Sequence, residues 1–178
     1  MQYVYIHGFG TTGANSSKFK KIQAHAQSKN EKAIALEWNE HQKDILSKLI
    51  AQLENAIDYN IPTILIGSST GGNFTYQIIN TLKNEKFSFV LLNPLLNVEQ
   101  RKIDNELFTK DLANQLKDFP KDLSNGLIIL GANDEILDYN YTFERTEKLN
   151  KIVVGHWNHT LSNLEAEELL NLIDSVKK

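Results

Sequence analysis

A doubly wound α/β fold, built on a six-stranded, mostly parallel sheet, is predicted by three observations. Short β-rich runs alternate with longer stretches of helical spacing. Most of the runs are continuously apolar, as strands covered on both faces are. Loops carrying glycine and polar residues follow several of them, where ligands sit in folds of this class.

The runs are Tyr3–Ile6, Ala33–Glu37, Thr63–Ile66, Phe87–Leu92, Leu127–Leu130 and Lys151–Val154. Between them, His41 to Asn60 places Ile45, Leu46, Leu49, Ile50, Leu53, Ala56 and Ile57 on one helical stripe. The stretch after Gly72 does the same with Phe74, Ile78, Ile79 and Leu82. The C-terminal stretch does so with Leu161, Leu164, Leu169, Leu170 and Ile173. Strand and helix in alternation imply right-handed crossovers. Ligands then bind at the carboxyl ends of the strands.

With 178 residues the expectation is one domain over 1–178, large enough to bury a core without staples. The formal charge is −3, from 19 basic and 22 acidic side chains. That leaves no basic field for nucleic acid or an anionic membrane. Without cysteine, disulfides, thiolate zinc sites and cysteine nucleophiles are excluded. No signal peptide is visible, and no apolar run approaches the roughly 20 residues of a membrane span. A soluble cytoplasmic protein is expected.

The chemistry should lie in the loops after the strands. After the third run the chain reads Gly67-Ser68-Ser69-Thr70-Gly71. This is G-x-S-x-G between a strand and a helix, the pattern that lifts a serine hydroxyl above a sheet on a strained turn. Ser69 is the candidate nucleophile, and the N–H of Thr70 a candidate oxyanion donor. After the first run comes His7-Gly8-Phe9-Gly10. Here Phe9 can offer a second N–H, and His7 reads as a structural residue holding the loop. The segment HGFGTTG lacks both G-x-G-x-x-G and the P-loop lysine–serine pair, which argues against phosphate binding.

After the fifth run, Gly131-Ala132-Asn133-Asp134-Glu135 offers carboxylates. Asp134 is preferred as nearest the strand end, ahead of Glu135 and Asp138. After the sixth, His159 is the candidate base, and His156, closer to the strand, reads as structural. His25 and His41 read as surface residues without partners. The order Ser69, Asp134, His159 is the Ser…Asp…His order of α/β-hydrolases.

Four blocks carry a family resemblance: YIHGFGTTGANSSKFKKI, the elbow GSSTGGNFT, the acid loop GANDEILDYN with Tyr139, and GHWNH. They resemble the YqiA/YcfP-like small single-domain bacterial esterases over nearly the whole chain. The resemblance implies a minimal α/β-hydrolase fold without a large lid. It also implies esterase or thioesterase activity on short acyl chains, with Ser69 as nucleophile, Asp134 as acid and His159 as base. Ser68 and Thr70 flank the serine where bulkier residues are common in the superfamily, which bears on substrate choice.

The expected reaction is acyl transfer to water through a covalent serine ester, with no cofactor or metal and a small acyl ester as partner. An amidase, perhydrolase or carbon–carbon hydrolase on the same triad, or a non-catalytic binding module, stays open on sequence alone. The segment from Asn93 to Gly126 stands where such enzymes insert lids but is too short for a bulky cap. Its Leu95, Leu96, Leu107, Phe108, Leu112, Leu116 and Phe119 fit either an acyl pocket or the core face of a crossover helix.

Overall fold

A computed structural model of the chain describes residues 1–103, 107–118, 126–146 and 151–177. The strands are β1 (Gln2–Ile6), β2 (Lys32–Leu36), β3 (Thr63–Ser68), β4 (Phe87–Leu92), β5 (Gly126–Gly131) and β6 (Lys151–Gly155). The helices are α1 (Ser17–Ser28), α2 (Ile45–Ala56), α3 (Thr70–Leu82), the single turn α4 (Lys110–Ala113), α5 (Tyr139–Thr146) and α6 (Ala166–Asp174). A 3₁₀ turn covers Val98–Gln100.

The strands form one sheet in the order β2-β1-β3-β4-β5-β6, and every pairing is parallel. Alternate side chains of each strand feed opposite faces. Val4, Ile6, Leu65, Phe89, Leu91 and Ile128 pack with Leu49 and Leu53 of α2 and Phe74 and Ile78 of α3. Tyr3, Tyr5, Ile64, Ile66, Val90 and Ile129 pack on the other face with Phe19 and Ile22 of α1 and Leu169 and Ile173 of α6. Burial on both faces is why the runs read as continuously apolar. The chain winds outward from β1 to β2, then turns back through β3, so the switch point lies between the carboxyl ends of β1 and β3. The loops bearing Phe9 and Ser69 leave the sheet there.

The last helix is shorter than its apolar spacing predicts. Leu161 has φ 55°, a left-handed backbone that stops a helix. Leu161 and Leu164 are buried in the loop ahead of α6. The segment after β4 is divided between two uses. Leu95 and Leu107 line a depression beside Ser69, while Leu112 is in the core with Phe108 and Leu116 packed against it. Phe119 lies outside the described residues. Among the described residues of this segment there is the 3₁₀ turn and α4 but no cap domain. No helix of the described residues is long and apolar enough to cross a membrane.

Candidate active site

The candidate nucleophile occupies the one residue between β3 and α3. Ser69 has φ 53° and ψ −120°, outside the regions favoured by L-residues. Its turn is clipped by backbone bonds. The Ser69 N–H donates to the Leu92 carbonyl at 2.9 Å, and its own carbonyl accepts the N–H groups of Gly72 (2.9 Å) and Leu95 (3.0 Å). The small residues of the motif serve close approach. A Cβ on Gly71 would run into the carbonyl oxygens of Ile6 and His7, and one on Gly8 would stand 3.2 Å from the Ser69 Cβ. The loop after β1 is thereby laid against the serine.

That loop is held by His7, as its sequence position predicts. His7 is buried and stacks on Trp38 with ring centroids 5.3 Å apart. Its Nδ1–H donates to the Gly8 carbonyl at 2.8 Å, and its Nε2 accepts the Trp38 N–H at 3.3 Å. The Trp38 indole N–H donates back to the His7 carbonyl at 3.0 Å. Glu37 stands 3.3 Å from the same Nε2, but an accepting Nε2 carries no proton. Burial pushes the His7 pKa down, outweighing the Gly8 carbonyl and Glu37, so the neutral ring fits both observations. Among the described residues the N–H groups of Phe9 and Thr70 make no hydrogen bond to protein.

Asp134 and His159 meet across the carboxyl ends of β5 and β6. The His159 Nδ1–H donates to Asp134 Oδ2 at 2.8 Å. The other oxygen, Oδ1, accepts the N–H groups of Ile136 and Leu137, both at 2.8 Å. The Asp134 side chain is 1% exposed and that of His159 17%. A carboxylate oxygen only accepts, so Nδ1 carries the imidazole proton and Nε2 keeps a lone pair. His159 lines two depressions, and Ser69 lines both with it. Among the described residues no hydrogen bond joins the Ser69 hydroxyl to His159, a contact that often tightens only with substrate bound.

The remaining candidates have other partners. Glu135 accepts the backbone N–H of His159 at 3.0 Å, so it holds the loop that carries the imidazole. Asp138 accepts the N–H of Asn140 at the start of α5. His156 is exposed, and its carbonyl accepts the side-chain amides of Asn133 and Asn163. His41 is exposed, 3.9 Å from Glu40. His25 departs from expectation: its Nε2 lies 3.0 Å from Asp174 Oδ2, tying α1 to α6.

Two positioning residues escaped the sequence reading. Asn93 is buried just after β4, with φ 43°. Its Oδ1 accepts the Gly131 N–H at 2.7 Å, and its Nδ2 donates to the carbonyls of Asn158 (3.2 Å) and His159 (2.9 Å). One side chain thus joins the acid loop to the histidine loop. Lys102 Nζ donates to the Asp134 carbonyl at 2.7 Å. The signal for Asn93 was an asparagine directly after an apolar strand, a residue type that tolerates left-handed backbone.

A family model described as uncharacterised protein family UPF0227 matches residues 2–176. The chain belongs to that family. No curated protein matches this UPF0227 member in sequence. Among solved structures, mouse alpha/beta hydrolase domain-containing protein 10 is similar at 13% identity, with 99% of this chain and 90% of that one covered and a TM-score of 0.72. The ydeN gene product of Bacillus subtilis is similar at 14% identity, 98% and 96% coverage and a TM-score of 0.70. Carboxylesterase CesB of Bacillus subtilis is similar at 11% identity, 98% and 84% coverage and a TM-score of 0.62. At such identities the likeness establishes the fold, and this UPF0227 chain has the α/β-hydrolase fold.

Proposed function

We propose that the protein is a serine hydrolase that cleaves short-chain carboxylic esters or thioesters through an acyl-serine intermediate. The observation that carries this reading is the Asp134–His159 hydrogen bond beside a serine held at φ 53° on a strand-to-helix turn. His159 Nε2 takes the Ser69 proton as the hydroxyl attacks the acyl carbon, then passes it to the departing alcohol or thiol. Water, deprotonated by the same nitrogen, next attacks the acyl carbon; the bond to Ser69 Oγ breaks, Nε2 returns the proton to Oγ, and the acid leaves. Asp134 keeps the imidazole in its tautomer and stabilises the imidazolium. The unbonded N–H groups of Phe9 and Thr70 receive the oxyanion.

The acyl group fits the depression of ≈ 280 Å³ lined in part by Phe9, Leu95, Leu107, Ile136 and Leu137. Those side chains are apolar and the volume is small. Lengthening the acyl chain should therefore raise kcat/KM only over the first few carbons. A series of p-nitrophenyl esters, assayed with Ser69→Ala as control, tests the reading. Turnover of the short esters that is lost in Ser69→Ala is expected. Turnover that survives in Ser69→Ala would overturn it, and rates climbing steadily beyond about ten carbons would overturn the short-chain preference.

A further inference from the structure

Ser69 stands between two depressions of opposite character. The first, described above, is mainly apolar, with Glu40, Thr70 and Arg101 also on its lining. The second, of ≈ 370 Å³, shares Phe9, Ser69 and His159 with it but is otherwise lined mainly by polar groups, among them Thr11, Asn15, Ser17, Thr160 and Lys18. Among the described residues no carboxylate lines this second depression. Lys18 is its cationic side chain, in the first turn of α1 and half-buried. Among the described residues its ammonium makes no hydrogen bond and no ion pair.

A half-buried ammonium without a counterion loses hydration and receives nothing in return. Burial accordingly pushes Lys18 down to about 8, against a weaker opposing pull from Asp134 and with a small further push from Lys21. At neutral pH the group is still mostly charged. Asp134 does not line this depression, and among the described residues it makes no ion pair or hydrogen bond with Lys18, its near partners being His159 and the backbone of Ile136 and Leu137. A small anion entering the depression would supply the missing partner at a site already walled by hydroxyls and an amide. Charge-assisted bonds of this kind are the strong ones.

We propose that the substrate carries an anionic group, a carboxylate or a phosphate, on its leaving-group side, and that Lys18 binds it in the second depression. This rests on the serine hydrolase reading and sharpens it. The acyl chain takes the apolar depression, the scissile bond lies over Ser69, and the charged alcohol or thiol takes the polar one. Lys18 is then the residue that sets leaving-group specificity.

The test is a matched set of butyrate esters: phenyl, 4-carboxyphenyl, 4-phosphoryloxyphenyl and 4-trimethylammoniophenyl. Each enzymatic kcat/KM is divided by the ester's own hydroxide-catalysed rate, and ratios to the phenyl ester are compared. In the wild type one or both anionic esters should exceed the phenyl ester by roughly ten- to a hundredfold, the range of a hydrogen bond to a charged group. The larger ratio tells carboxylate from phosphate. Lys18→Gln should bring that ratio near one, and Lys18→Glu should move the preference to the cationic ester. Because ratios are read, partial misfolding of a variant does not mimic the result. Equal ratios in the wild type, or a preference that persists in Lys18→Gln, would overturn the assignment and leave the esterase reading intact. Labelling of Ser69 by a fluorophosphonate without turnover of any of these esters would overturn both the assignment and the short-chain ester reading, leaving only a reactive serine. Neither labelling nor turnover would end both.

Discussion

Replacing Asn93 should damage activity well beyond its effect on stability. Its side chain makes three hydrogen bonds, one to the buried Gly131 N–H and two to the half-buried carbonyls of Asn158 and His159. Asn93→Gly keeps the left-handed backbone without strain and removes all three. Stranding a buried N–H costs about 1–3 kcal/mol, and the two carbonyls, within reach of water, add about 1 kcal/mol together. The loss should therefore be about 2–4 kcal/mol. Asn93→Ala adds a Cβ at φ 43°, so about 1 kcal/mol more is expected. Denaturant unfolding of the two variants gives both numbers. The decisive assay is kcat per folded molecule on a short ester. With the histidine loop released from the acid loop, the imidazole loses its aim, and kcat should fall at least tenfold while KM moves little. A variant destabilised as calculated but with unchanged kcat per folded molecule would refute the positioning role.

Other consequences are as direct. Asp134→Asn retains the shape of the site but puts an amide where only an acceptor suits Nδ1–H, so kcat should fall by roughly 10⁴; a loss under tenfold would contradict the role given to the carboxylate. His7 is held neutral, with its pKa pushed down by burial. The unfolded chain therefore takes up the proton first, and stability should be full above pH about 6.5 and fall as pH drops through that value; a His7→Gln variant should lose that slope in unfolding curves followed by tryptophan fluorescence. At Asp174, burial favours the neutral acid, but bonds from Lys29, Tyr3, His25 and Lys177 outweigh it and hold the carboxyl well below its usual value. Its contribution should be present above pH about 4 and lost on further acidification; Asp174→Asn should flatten the acid limb of the stability profile, and an unchanged limb would contradict the cluster's role.

Much of the frame was legible in the residues because burial writes itself into sequence. Strands covered on both faces must be apolar throughout, and the runs from Tyr3 to Ile6 and from Phe87 to Leu92 are buried end to end. The serine turn was legible because only small residues fit where Gly71 passes the carbonyls of β1 and its loop. Asp134 and His159 could be named because strand-end loops in a parallel sheet share one rim. The second layer was not legible. Asn93, Lys102 and Glu135 act through backbone groups of distant loops, and nothing in a polar side chain announces which carbonyl or N–H it will meet. The His25–Asp174 pair joins positions 149 residues apart and depends on how α1 and α6 come together. Leu161 and Leu164 kept the spacing of a helix while serving as buried loop residues, since burial and periodicity are separable where φ turns positive.

Mass spectrometry after exposure to a fluorophosphonate tests the central claim most directly. A single adduct on the peptide containing Ser69 is predicted, absent from Ser69→Ala and formed much more slowly by His159→Ala. An unmodified protein, or an adduct on another residue that persists in Ser69→Ala, would contradict the account.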